Sequence, residues 1–115
     1  MKYLILCCHE EQTYDAMSKS QQAAIMDDTM AYCDKLRKSG HLIDAVPLAS
    51  VETAMTVRVR NGKSSVTDGP FTETKEQIGG FFLIDARDMN EALQIASQFP
   101  SAQFGSLEVR PVREM

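Results

Sequence analysis

Two βαβ-like halves flank a central hairpin in this 115-residue chain. That order predicts an α+β fold: a ferredoxin-like, split βαβ antiparallel sheet with two helices on one face plus the hairpin. Three observations carry the prediction. Lys2 to Cys8 is apolar on both of its alternating faces, which marks a central strand. Ile25, Met26, Met30, Cys33 and Leu36 recur at helical spacing. Asn61-Gly62 joins two alternating segments and is a strong signal for a two-residue hairpin turn. The length suits a single domain over residues 1–115, and 43% hydrophobic residues can furnish one core.

Each element has a local reason. In the first strand Tyr3, Ile5 and Cys7 share one face, and Leu4, Leu6 and Cys8 the other. His9 to Met17 reads as a polar connection. Ser18 with Gln21 three residues on forms a capping box for the first helix. Lys35, Arg37 and Lys38 complement its negative end, and Gly40 can take the left-handed position after it. Leu42 to Val46 is the second strand, closed by Pro47. Met55 to Arg60 and Lys63 to Thr67 are the hairpin arms. Phe81 to Ile84, the most continuous apolar run, is a buried strand. Asp88 with Glu91 caps a second helix whose stripe is Met89, Ala92, Leu93, Ala96 and Phe99, stopped by Pro100. Leu107 to Arg110 is the last strand, confined to an edge by Pro111. Two helices cover only one sheet face. Strands apolar on both sides therefore predict a homodimer, an α/β plait meeting a second copy through the open face.

Composition narrows the partners. A net charge of −4 offers no basic stripe for nucleic acid and no polybasic anchor for a membrane. No apolar run approaches the roughly 20 residues of a spanning helix. The three cysteines include an adjacent pair directed to opposite strand faces, and no CxxC spacing occurs. Reduced thiols, a cytoplasmic location and no metal or organic cofactor are the expectation.

The richest stretch runs from Thr67 to Gly80. It sets a turn, four charged side chains and a glycine pair between two hydrophobic runs. A two-residue Asn61-Gly62 turn places Arg60 opposite Lys63, Val57 opposite Val66 and Met55 opposite Asp68. Asp68 then shares the inward face with Met55, Val57 and Val59, an unusual place for a carboxylate, while Arg58 and Arg60 take the wetter face. Asp68 and Lys75 are the candidate catalytic pair, with Arg58, Phe71, Glu73, Glu76 and His9 as candidate binding residues. Two roles suit Asp68. It can be a general acid or base with a perturbed pKa, or an Asx-type turn acceptor around Gly69-Pro70. Glu73, Lys75 and Glu76 fit a cleft lining or a solvated loop. His9 follows the first strand at its C-terminal end, with Glu10 beside it.

Thr56 to Gly62, Thr67-Asp68-Gly69-Pro70-Phe71, Thr74 to Asp85 and the ending Gly105 to Val112 resemble the DGPF-domain branch of the YCII-related proteins. The resemblance spans essentially the whole chain and implies a dimeric ferredoxin-like fold. Many members have no assigned reaction, and some relatives accompany, or are fused to, extracytoplasmic-function sigma factors. The wider group is associated with a His–Asp site and includes a lyase-like member acting on a chlorinated aromatic ring. Its His sits near the start of the first helix, where this chain has Ser18 to Ala24 and no His. Asp68 and its neighbours are what the motif carries over.

These readings converge on a small homodimer acting on an unidentified small molecule. One form is a lyase or isomerase that transfers a proton near Asp68. The other is a non-catalytic binding or regulatory module, linked through the family to sigma-factor signalling.

Overall fold

A computed structural model describes all of the chain, residues 1–115. In order, it contains β1 (Lys2–His9), α1 (Glu11–Asp15), α2 (Lys19–Lys38), β2 (Leu42–Pro47), β3 (Met55–Arg60), β4 (Lys63–Asp68), β5 (Gln77–Asp85), α3 (Met89–Ser97) and β6 (Ser106–Pro111). Short 3₁₀ turns at Val51–Thr53 and Pro100–Gln103 complete it. The main sheet runs β2-β5-β1-β6, antiparallel throughout, which is the ferredoxin-like order. As its double-sided apolarity requires, β1 is central, and Pro111 ends the edge strand.

The capping signals are realised. Ser18 Oγ accepts the Gln21 N–H at 3.1 Å while Gln21 Oε1 accepts the Ser18 N–H at 3.0 Å. Asp88 Oδ1 accepts the Glu91 N–H at 2.9 Å. The segment after His9 is not wholly irregular, because α1 occupies Glu11–Asp15. Five residues are too few to display a helical period.

The core lies between the helices and one sheet face. Tyr3, Ile5, Leu42 and Ile84 project into it from the strands. Cys33 and Leu36 of α2, Ala92, Ile95 and Ala96 of α3, and Phe99 meet them. Phe99 stacks on Phe82 at 4.0 Å between centroids and meets Tyr32 edge-on at 4.8 Å. The α2 stripe is only half used: Met26 and Met30 are exposed. On the opposite sheet face Leu4, Leu6, Phe81 and Leu83 are half-buried, with α2 and α3 on the other side.

The hairpin keeps its expected register, Met55 with Asp68, Val57 with Val66 and Arg60 with Lys63. Its turn has positive φ at both Asn61 (52°) and Gly62 (74°), the geometry that twists a two-residue hairpin correctly. The face expected to be inward is not. Met55, Val57, Val59 and Val66 are 65, 66, 60 and 59% exposed. The reason is topological: β3 and β4 pair only with each other and form a separate two-stranded sheet. A radius of gyration of 16.1 Å reflects this projecting arm, since a compact domain of this length has about 13 Å.

Candidate active site

Asp68 ends β4 and is exposed, with no side-chain hydrogen bond or ion pair within the chain. The backbone does the turn's work instead. The Gly69 N–H donates to Ala54 O at 2.7 Å, Thr56 Oγ1 donates to Gly69 O at 2.8 Å, and Gly69 supplies φ of 93°. Within one chain Asp68 is neither buried nor a turn acceptor. Its burial fails because the β3–β4 arm stands apart from the main sheet, and its turn role fails because backbone groups and Thr56 close the turn. Arg58 stands over the Phe71 ring, 4.7 Å from its centroid, and pins that exposed ring to the arm. Glu73 is exposed, and Glu76 is half-buried with its carbonyl accepting from Thr74 Oγ1.

Lys75 and His9 come to the C-terminal end of β1. Lys75 Nζ lies 3.6 Å from Glu10 Oε1 and is largely exposed. Gln77 builds this corner. Its Oε1 accepts the Glu11 N–H at 3.2 Å, and its Nε2 donates to Thr74 O at 2.8 Å, tying the motif loop to the start of α1. Glu11 extends the tie. Its carboxylate accepts the Val51 N–H at 2.6 Å and the Ser50 hydroxyl at 2.8 Å, and these donors, the Val51 amide foremost, hold its pKa below the usual carboxylate value. A cleft of about 370 Å³ opens here, lined by Glu10, Glu11, Gln12, Asp15, Val51, Glu52, Lys75 and Gln77. Lys75 also borders a second depression with Cys8, Glu76, Ser106 and Glu108.

Beside the cleft the His9 ring is half-buried in an aromatic frame. Tyr14 and Phe104 meet it edge-on at 5.9 and 5.8 Å. Gly79 lies against it, and its ring nitrogens have no hydrogen-bond partner in the chain. No three His, Cys, Asp or Glu side chains are grouped to hold a metal ion. No helix is long and apolar enough to cross a membrane.

Of the residues anticipated from sequence, the structure brings together His9 with Lys75 through Glu10, and Arg58 with Phe71. Asp68 joins neither group. Glu11, Tyr14, Glu52, Gln77 and Phe104 were not anticipated. Their only sequence signal was His9-Glu10 at a strand's C-terminal end, because partners as distant as Phe104 meet His9 only through the sheet.

Comparison with known proteins gives this geometry a family. An uncharacterised protein of Rhizobium meliloti (strain 1021) is 40% identical over 114 residues, covering 97% of this chain and 92% of that protein. A solved structure of similar fold is the 5-chloro-2-hydroxyhydroquinone dehydrochlorinase of Burkholderia phenoliruptrix AC1100, in complex with 2,5-dihydroxybenzoquinone. It has a TM-score of 0.60 at 14% identity, over 100% of this chain and 96% of that one. The YCII-related domain matches residues 1–115, so the chain belongs to the YCII-related family.

Proposed function

We propose that the protein is a homodimeric enzyme that moves a proton on a small molecule, in a lyase or isomerase step, at the His9 end of β1. The carrying observation is the His9 imidazole, fixed between two aromatic rings and a glycine with both nitrogens free of protein partners. Imidazole is the side chain best suited to take and return a proton near neutral pH, and fixing it removes orientational cost. Lys75 and Glu10 stand at the adjoining cleft as cation and carboxylate. The dehydrochlorinase of similar fold supports a lyase-type step. The cleft also restricts its guest. Glu10, Glu11, Asp15 and Glu52 face a single ammonium, and each carboxylate would repel an anion at 4 Å by about 1 kcal/mol in a water-like dielectric. A neutral or cationic molecule is favoured. The half-exposed apolar sheet face supports a dimer.

A second reading, a non-catalytic binding or regulatory module, is favoured by Asp68, which faces no titratable partner within the chain. NMR titration with neutral hydroxyquinols, 5-chloro-2-hydroxyhydroquinone among them, distinguishes the two when combined with chloride-release assays. The enzyme reading expects shifts at the His9 ring and turnover that falls about 100-fold or more in His9→Gln with binding retained. Binding at His9 without turnover supports the module. A ligand that leaves His9, Glu10 and Lys75 unshifted overturns this site.

A further inference from the structure

The β3–β4 arm is built to be covered. Its two faces differ completely: Met55, Val57, Val59 and Val66 lie on one, Arg58, Arg60 and Lys63 on the other. Hairpins this short are marginal in water unless a face is packed. Here the packed-type face, with Val57 directly across from Val66, lies in solvent. Neither strand rests on the four-stranded sheet of its own chain.

The chain also presents a surface of matching chemistry. Leu4 and Leu6 of β1 with Phe81 and Leu83 of β5 form the sheet face away from the helices. Magnitudes indicate how the two are used. With about 3.3 Å per residue and 4.8 Å per strand, the arm face projects to about 200 Å² and the sheet face to about 400 Å². A stable specific dimer needs roughly 800 Å² of accessible surface from each subunit. Neither face suffices alone; together they approach it, because side-chain relief makes accessible area exceed projected area.

We infer that the β3–β4 arm of one protomer seats its apolar face on a second copy of this chain, extending an interface that includes the open face of the main sheet. The inference rests on the homodimer proposed above and adds the arm as the element that secures it. In a two-fold dimer each subunit gives one arm and receives the other. Asp68 then has a new setting. It shares the covered face with Met55 and Val57, so the seam draws its carboxylate out of water, where it requires a cation or hydrogen-bond donors. Lys2 is a cation on the same side of the sheet as Leu4 and Leu6, beside Asp85, while Arg110 on that side is already held by Glu108 at 2.7 Å. The arm's basic face is left outward.

The test is sedimentation equilibrium on the full chain and on two variants. One is Val57→Lys with Val66→Lys, which puts charge on the seam. The other replaces Thr56–Thr67 by two glycines, and it decides the question if the first fails to fold, since neither strand contributes to the core. Expected are a wild-type dimer at micromolar concentration and folded variants whose dimer dissociation constant rises about 100-fold or more. Arg58→Ser with Arg60→Ser, on the outer face, should leave the dimer intact. A folded variant that dimerises within about threefold of wild type overturns the arm's role while the homodimer stands. A monomeric wild type overturns both.

Discussion

Gly79 lies directly against the His9 ring: a Cβ built on Gly79 would stand 2.5 Å from the imidazole Cε1. The ring cannot easily retreat. Tyr14 and Phe104 flank it, and a Cβ on Gly105 would come within 2.9 Å of the His9 Cβ and 2.3 Å of the Cys8 carbonyl oxygen. Gly79 is also the unpaired residue of the irregularity between β1 and β5, where Cys7 pairs with Gly80 and Cys8 with Ile78. The glycine is needed for the room it leaves rather than for an unusual φ.

Gly79→Ala should therefore displace the imidazole and destabilise the fold by about 1–3 kcal/mol, the range for forced overpacking. Urea denaturation gives the energy, and the His9 Cε1–H resonance reports the ring. An alanine variant with wild-type stability and an unmoved resonance would contradict the close contact.

Glu11 ties α1 to the Val51–Thr53 turn through one amide and one hydroxyl. Its folded-state pKa is lowered. The contribution is thus present above the unfolded carboxylate value and lost as pH falls through the folded one. The group is solvent-accessible, so screening keeps the contribution below about 1 kcal/mol. Glu11→Gln should cost that much at neutral pH and nothing in acid well below the ordinary carboxylate pKa. A gap between the two proteins that persists in acid would show that the tie is not electrostatic.

Phe99 joins α3 to the sheet and closes the core, being 1% exposed. It was legible as the last residue of a helical stripe, but its stacking on Phe82 and contact with Tyr32 required the fold. Phe99→Ala removes a ring packed on two aromatic neighbours and should cost about 3–5 kcal/mol. Phe99→Leu, which keeps most of the volume, should recover much of it. A cost below about 1 kcal/mol for alanine would mean that the cavity collapses or the core differs.

Local rules reached most of the fold, and their most consequential failure was at the hairpin, beyond the missed short helix Glu11–Asp15 and the exposed Met26 and Met30. Capping boxes, the Asn61-Gly62 turn and the hairpin register depend on near neighbours and were readable. The side of the hairpin that meets protein depends on where the arm sits, and alternation carries no information about that. Val57 and Val59 look identical whether they face their own core, a partner or water. The error passed directly to Asp68, whose expected burial was inherited from those valines. The His9 frame was hidden for another reason. His9, Gly79 and Phe104 come from β1, β5 and the end of a 3₁₀ turn, and only sheet pairing brings them together.

Cys7 gives an alkaline prediction. Its thiol is buried on the helix side of β1, and burial pushes its pKa up to about 11 from the ordinary 9.0. A raised thiol pKa means that the folded state holds the proton more tightly than the unfolded chain. The associated stability is complete below about pH 9 and disappears as pH rises toward about 11, on the order of 3 kcal/mol at about 1.4 kcal/mol per pKa unit. Cys8, Cys33 and Tyr32 are also raised by burial, so the wild-type curve alone does not isolate Cys7. Cys7→Ala does: the variant should be less stable near neutral pH because of its small cavity, yet lose less stability on going to high pH. Iodoacetamide should label half-buried Cys8 before Cys7 in the native protein. Parallel alkaline curves for wild type and variant, or preferential labelling of Cys7, would show that its thiol is not shielded.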